Sequence, residues 1–227
     1  MRGPILELAV GSGRLAVPLA AAGNDVTGVD VDGAMLDRAR AKWRETGGAG
    51  RGGSLTLIEH DLLTLDLPVR FDLVFVALNS LLLLDGRAAQ QRALRTIRVH
   101  LTPAGRAVID VWLPAADDLT LYDGRQLLEW VRTDPQTNER VSKTAAAHYD
   151  PAANTAVLTT TFDAERAGEP ATRTAREDAI SFIGAQELIA LANAAGLEPV
   201  VTAGNYDLSP WTEASERVVL ICQAKAA

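Results

Sequence analysis

The chain has 227 residues, 48% hydrophobic and 22% charged, enough apolar material for a full core in one domain or one domain with an insertion. Its 22 Lys and Arg against 29 Asp and Glu leave a net charge of −7, which argues against broad contact with a nucleic-acid backbone. The lone cysteine, Cys222, excludes an internal disulfide framework. No signal peptide and no bilayer-length apolar run is visible, so a reducing, cytoplasmic setting without a membrane partner is expected.

In chain order, Ile5–Val10 is a compact apolar run and reads as a strand. Arg14–Ala22 is rich in Ala and Leu and stops at Gly23, as a helix does. Asp25–Asp30 reads as a second strand, followed by a helix with Met35, Leu36, Ala39 and Trp43 at helical spacing. The glycine-rich segment 47–54 is expected to be a mobile loop. Leu55–Asp61 and Phe71–Leu78 read as strands three and four. Arg87–His100 reads as a helix, TPAG as a turn, and Arg106–Trp112 as strand five. Apolar strands separated by helices imply a parallel sheet covered on both faces.

From about Gln126 to Phe182 the helical period disappears. Strand-like runs alternate with the turn letters PQTN and PAAN, predicting an antiparallel β insert after strand five, over residues 113–182 of a single 1–227 domain. Helical spacing returns at Ala185–Gly196. Two final strands follow, separated by the polar and aromatic loop NYDLSPWTEAS.

The chemistry concentrates at the first strand-to-helix turn. Gly11, Ser12, Gly13 and Ala16 fit the dinucleotide pattern G-x-G-x-x-G/A, with Asp30 about 20 residues on. Such glycines permit positive φ and close approach of backbone to ligand, and the helix that follows aims its N–H groups at that ligand. Taken alone this fits an NAD(P)-dependent oxidoreductase. Three details point elsewhere. Glu7 lies before the turn, where its carboxylate suits an ammonium group and repels a diphosphate. Asp61 ends the third strand, where it can accept from an adenine amino group. The chain also lacks a second mononucleotide-binding half.

The stretch ILELAVGSGRLAVPLAAAGNDVTGVDVDGAMLDRAR closely resembles the first motif of class I S-adenosylmethionine-dependent methyltransferases, of the type acting on small molecules. HDLLTLDLPVRFDLVFVALNSLLLL resembles their later motifs, and LTPAGRAVIDVW their fifth-strand region. The resemblance implies an α/β Rossmann-like fold with a mainly parallel seven-stranded sheet, and methyl transfer to an oxygen or nitrogen of a small organic acceptor. It implies S-adenosylmethionine as cofactor and S-adenosylhomocysteine as product.

It also assigns roles. Glu7, Ala9, Gly11, Ser12 and Gly13 would form the methionine-side loop. Asp30 would accept from the ribose hydroxyls, with Val31 against the adenine. Asp61 would take the adenine amino group beside Leu62. Ala77, Leu78 and Asn79 would line the sulfonium side, Asn79 and Ser80 also being readable as helix caps. Ala9 stands where the family often has Gly. Related chains carry helices ahead of the first strand that cover the cofactor. With the strand starting near Pro4, such a lid is expected outside this sequence, from another chain, or not at all. That leaves a non-catalytic cofactor-binding module as a further alternative.

Catalytic candidates are Asp110 after the core of strand five, Tyr206 in the last loop and His148 in the insert, the histidine as general base because its pKa range is near neutrality. Trp112, Trp130, Tyr149 and Trp211 join Tyr206 as candidate pocket walls or as packing residues. No spacing suggests a metal site. Expected partners are a small-molecule acceptor and no nucleic acid, with a homodimer left open.

Overall fold

A computed structural model describes residues 3–48 and 52–225. Residues 49–51 of the expected glycine-rich loop lie outside the described residues. The chain divides into two compact units, one of residues 1–81, 86–113 and 183–227, the other of 82–85 and 114–182.

The first unit is built on a seven-stranded sheet. In chain order its elements are β1 (Ile5–Leu8), α1 (Ala16–Ala21), β2 (Asp25–Asp30), α2 (Gly33–Glu45), β3 (Ser54–Glu59), β4 (Phe71–Val76), α3 (Gly86–His100) and β5 (Leu101–Trp112). A short α4 (Ala116–Thr120) and strands β6 to β9 belong to the second unit, and α5 (Ala185–Ala194), β10 (Leu197–Ala203) and β11 (Arg217–Ala224) complete the first. The strand order is β10-β11-β5-β4-β1-β2-β3. β1 pairs in parallel with both β2 and β4, and β11 runs antiparallel between β5 and β10.

This is the mainly parallel α/β sheet that the sequence predicts. Chain order runs outward from β1 to β3 in one direction and from β4 to β5 in the other. Right-handed crossovers therefore put the helices of the two halves on opposite faces. α1 packs with α2 over the β2–β3 side, and α3 packs with α5. The interior strand β1 is buried along its whole length, with Leu6 and Leu8 fully enclosed. Each such leucine contributes roughly 1.5–3 kcal/mol by leaving water.

Several boundaries shift for local physical reasons. β1 stops at Leu8 because Ala9 adopts φ +57°, outside the β region. β4 stops at Val76 because Leu78 and Asn79 turn to φ +57° and +66°. α2 begins at Gly33, earlier than its apolar spacing indicates, because the Asp32 carboxylate accepts from the N–H groups of Ala34 and Met35. The expected turn TPAG belongs to β5, where Leu101 pairs with Phe71 and Arg106 with Leu73, so the extra residues bulge out of the ladder.

The second unit holds an antiparallel sheet in the order β6 (Leu127–Thr133), β7 (Arg140–Asp150), β8 (Thr155–Glu165), β9 (Thr172–Ser181). Two of its turns share the sequence Asp-Pro-x-x-Asn. Asp134 accepts from the N–H groups of Gln136 and Thr137, and Asp150 from those of Ala152 and Ala153. Each turn ends with an Asn in the left-handed region, Asn138 at φ +56° and Asn154 at +52°. Trp130 packs on Phe162 with Arg132 over its ring, and Tyr149 packs on Phe182 while donating to Asn154 Oδ1. Both aromatic residues thus have packing partners within their own unit.

Candidate active site

The sheet order reverses between β1 and β4, and the carboxyl ends of strands at such a switch point open a crevice. Here it holds a cavity of about 260 Å³, lined by Glu7, Ala9, Val10, Gly11, Ser12, Arg14, Met35, Ala77, Leu78 and Ser80. Six residues of the predicted cofactor set, Glu7, Ala9, Gly11, Ser12, Ala77 and Leu78, therefore converge on one concavity.

The turn after β1 is shaped by positive φ at Ala9, Gly11 and Gly13. At Gly13 a β-carbon would lie 2.8 Å from Val17 Cγ2 in α1 and 3.0 Å from Ala39 Cβ in α2, so this glycine also lets α1 and α2 pack closely. At Gly11 an added β-carbon would meet nothing within 4 Å. Gly11 N donates to Asp30 Oδ2 at 2.7 Å, and Asp32 N donates to Asp30 Oδ1 at 2.9 Å. Asp30 thereby clamps the glycine turn to the end of β2, and each oxygen keeps a lone pair for another donor. Val31 beside it is 66% exposed. The sequence reading missed Lys42. From α2 its ammonium donates to Ser12 O at 3.0 Å and Ser12 Oγ at 2.9 Å, bracing the turn from the other side.

Glu7 is the electrostatic anomaly. It is 96% buried, taking its 4% exposure from the whole. Its carboxylate accepts from the Ala16 N–H, while Oε2 is enclosed without a partner among the described residues. Burial pushes its pKa up to about 8; the Ala16 hydrogen bond opposes this and the nearby Asp30 charge adds to it. A buried acceptor left unpaired is costly, and a cation in the cavity would relieve the cost.

The wall on the β4 side is held from β5. Leu78 N donates to Asp110 Oδ1 at 2.9 Å, and Trp112 N donates to Asn79 Oδ1 at 2.7 Å. Asn79 thus uses its side chain to tie β4 to β5 and is not among the cavity-lining residues, while Ser80 Oγ donates to Ala77 O at 2.8 Å. Asp110 is buried, and its Oδ2 accepts from the Tyr206 hydroxyl at 2.9 Å. Arg217 donates to the Tyr206 oxygen at 2.7 Å and stacks 4.5 Å from the ring centre. Burial raises the Tyr206 pKa, Asp110 raises it further, and Arg217 opposes both. The structure therefore joins two of the catalytic candidates. The third, His148, lies exposed on β7 in the second unit, paired with Val157.

Beyond β3, Asp61 uses Oδ1 to accept from Leu63 N at 2.8 Å, and Leu62 is buried beside it. His100 proves to be more than a helix-end residue. It is fully buried, its Nδ1 bonds Thr96 O at 2.7 Å, and Leu67 N donates to its Nε2 at 3.0 Å. This pattern requires a neutral ring with hydrogen on Nδ1.

The switch-point cavity, glycine turn and strand-end acids suit an adenosyl amino acid. The unpaired Glu7 oxygen fits its ammonium and Asp30 fits a diol. Residues 5–105 match the family described as methyltransferase domain. The chain is similar along nearly its whole length to methyltransferases, which supports an enzyme that uses S-adenosylmethionine. It is 25% identical over 229 residues to the cypemycin N-terminal methyltransferase of a Streptomyces species, covering 96% of this chain and 82% of that one. It is 28% identical to the CcbJ methyltransferase from Streptomyces caelestis, with a TM-score of 0.77 over 99% of this chain and 89% of that one. An S-adenosylmethionine-dependent methyltransferase from Clostridium acetobutylicum ATCC 824 shares the fold at a TM-score of 0.78 and 18% identity, covering 98% of this chain and 84% of that one. The oxidoreductase and non-catalytic alternatives give way to this assignment.

Proposed function

We propose that the protein methylates a nitrogen of a small organic molecule, with oxygen as the second choice, and releases S-adenosylhomocysteine. The observation that carries the cofactor side is Glu7 Oε2, a buried and unpartnered acceptor in the cavity beside the glycine turn. The preference for nitrogen draws support from the relative named as an N-terminal methyltransferase.

The cofactor supplies a methyl group on an activated sulfonium, so the chain's main tasks are positioning and exclusion of water. In this reading Glu7 takes the ammonium and Asp30 the ribose hydroxyls, with Val31 against the adenine ring. Asp61 and Leu62 border the adenine. Gly11, Ser12 and Gly13 form the turn at the methionine end, with Ala9 entering it, and Ala77 and Leu78 form the opposite wall, which Asn79 ties to β5. An amine acceptor must lose a proton before it attacks. Of the candidate groups for that step His148 is preferred, because the Tyr206 hydroxyl already donates to Asp110 and accepts from Arg217.

The test is incubation with methyl-labelled cofactor and a panel of amines and alcohols, including amino-terminal peptides and amino sugars, with product mass as readout. Label on an amine together with S-adenosylhomocysteine release supports the reading. Label confined to hydroxyl compounds moves it to oxygen, and label on nucleic acid or protein side chains alone overturns it.

A further inference from the structure

Leu78 and Asn79 are consecutive non-glycine residues in the left-handed region, at φ +57° and +66°. Such residues are strained and persist only where the surroundings hold them. Both anchors come from β5, Asp110 for Leu78 and Trp112 for Asn79. The Asp110 anchor does not end there. Its second oxygen is 2.9 Å from the hydroxyl of Tyr206, 96 residues away in the loop between β10 and β11. Arg217, the first residue of β11, donates to that hydroxyl at 2.7 Å, covers the ring at 4.5 Å, and has Nη1 3.5 Å from Asp110 Oδ2.

The Tyr206 hydroxyl can therefore donate only to Asp110, because Arg217 occupies its acceptor side. That orientation leaves Asp110 Oδ1 for Leu78, whose side chain lines the cavity. We propose that Arg217 is a positioning residue which, through Tyr206 and Asp110, sets the Leu78 wall and so couples the loop 204–216 to cofactor binding. The inference rests on the cofactor assignment of this cavity. The chain of contacts is continuous: guanidinium to phenol, phenol to carboxylate, carboxylate to backbone N–H, backbone to cavity wall. It gives the last loop a direct mechanical hold on the cofactor site. A change at Tyr206 is felt where the sulfonium side of the cavity is formed.

The experiment is calorimetric titration of wild type, Arg217→Met, Tyr206→Phe, the double variant and Arg217→Lys with S-adenosylhomocysteine. Thermal melts check that each variant is folded. Asp207→Asn is the control, since that carboxylate accepts from the Ser209 N–H and hydroxyl and from its own backbone N–H, all in the same loop. Loss of one hydrogen bond in the relay should weaken binding about three- to tenfold in either single variant. The double variant should be no weaker than the weaker single, Arg217→Lys should recover part of the loss, and Asp207→Asn should stay within about twofold of wild type.

A second readout needs no cofactor. The difference between the ultraviolet pH titrations of each protein and its Tyr206→Phe counterpart isolates the Tyr206 phenol. Arg217→Met should move that titration upward, because the guanidinium opposes the upward shift imposed by burial and Asp110. Unchanged affinity in both single variants, additive losses, or an equal loss in Asp207→Asn overturns the coupling. A wild type that binds no S-adenosylhomocysteine overturns the cofactor reading instead, and is recognised because the phenol shift persists.

Discussion

Gly11 N donates to Asp30 Oδ2 at 2.7 Å, so the first glycine of the turn and the acid that ends β2 form one unit. The other Asp30 oxygen is also met by a backbone donor, Asp32 N at 2.9 Å. Asparagine cannot replace this arrangement. Whichever way its amide is turned, its NH₂ faces an N–H. Asp30→Asn should lower stability by about 1–3 kcal/mol and reduce S-adenosylhomocysteine affinity as severely as Asp30→Ala. Denaturant unfolding and calorimetry check this; an Asn variant that binds like wild type would show that the ribose is held elsewhere.

Glu7 gives the cofactor site a pH dependence. Its pKa is raised by burial from 4.5 to about 8, so near neutrality it is mostly protonated without ligand. An ammonium ligand requires the carboxylate, and binding then expels the proton. Affinity for S-adenosylhomocysteine should rise by up to about tenfold per pH unit from pH 6 toward 8, then level. The stability sign is opposite. The folded state binds more protons than the unfolded one between 4.5 and about 8, so Glu7 makes the unliganded protein less stable as pH rises through that window. Glu7→Gln should flatten both profiles. The groups facing Glu7 are Asp30 at the end of β2 and the Ala16 N–H at the start of α1, with Arg14 also lining the cavity; the lining residues that follow β4, Ala77, Leu78 and Ser80, are uncharged. Calorimetry in two buffers of different ionisation enthalpy measures the released proton, and a pH-independent affinity counts against an ammonium at Glu7.

Ala9 occupies φ +57°, where a β-carbon is unfavourable. Ala9→Gly relieves that strain but adds backbone freedom to the unfolded chain, leaving a net gain of about 0.5–1 kcal/mol. A lower midpoint in guanidinium unfolding would be the contrary result. It would mean that the alanine methyl contributes packing that outweighs its strain.

His100 joins α3 to the segment that leads from Asp61 to β4. Removing its ring leaves Leu67 N–H without its partner and opens a void in a fully buried place. His100→Ala should cost about 2–5 kcal/mol, judged by urea unfolding, and should loosen the segment that carries Asp61 and Leu62. A loss below about 1 kcal/mol would show that water or a rearrangement satisfies Leu67.

Lys42 tests the brace on the glycine turn. Its side chain is exposed, so Lys42→Met should change stability by no more than about 0.5 kcal/mol. It should still weaken S-adenosylhomocysteine binding by about two- to fivefold, because Ser12 loses two hydrogen bonds that fix the turn. Unchanged affinity would assign Lys42 to the surface alone.

The alternation of strands and helices follows from signals that are local in sequence. Apolar runs of strand length, glycine and Asx punctuation, and helical spacing all act within a few residues, and they carried the α/β fold, the antiparallel insert and the positions of Glu7, Asp30 and Asp61. The Asp-Pro-x-x-Asn turns belong to the same class, since each turn's hydrogen bonds lie within five residues. What depended on tertiary structure was the partner of each polar group. Nothing near Asp110 in sequence indicates Leu78, Tyr206 or Arg217, and nothing near His100 indicates Leu67. The unpaired oxygen of Glu7 is likewise invisible until β2, β4 and α1 enclose it. Residue type and spacing fix which elements form and which chemistry is on offer. Hydrogen-bond partners, burial and pKa are properties of surroundings assembled from distant segments, and these decide which of the offered groups meet.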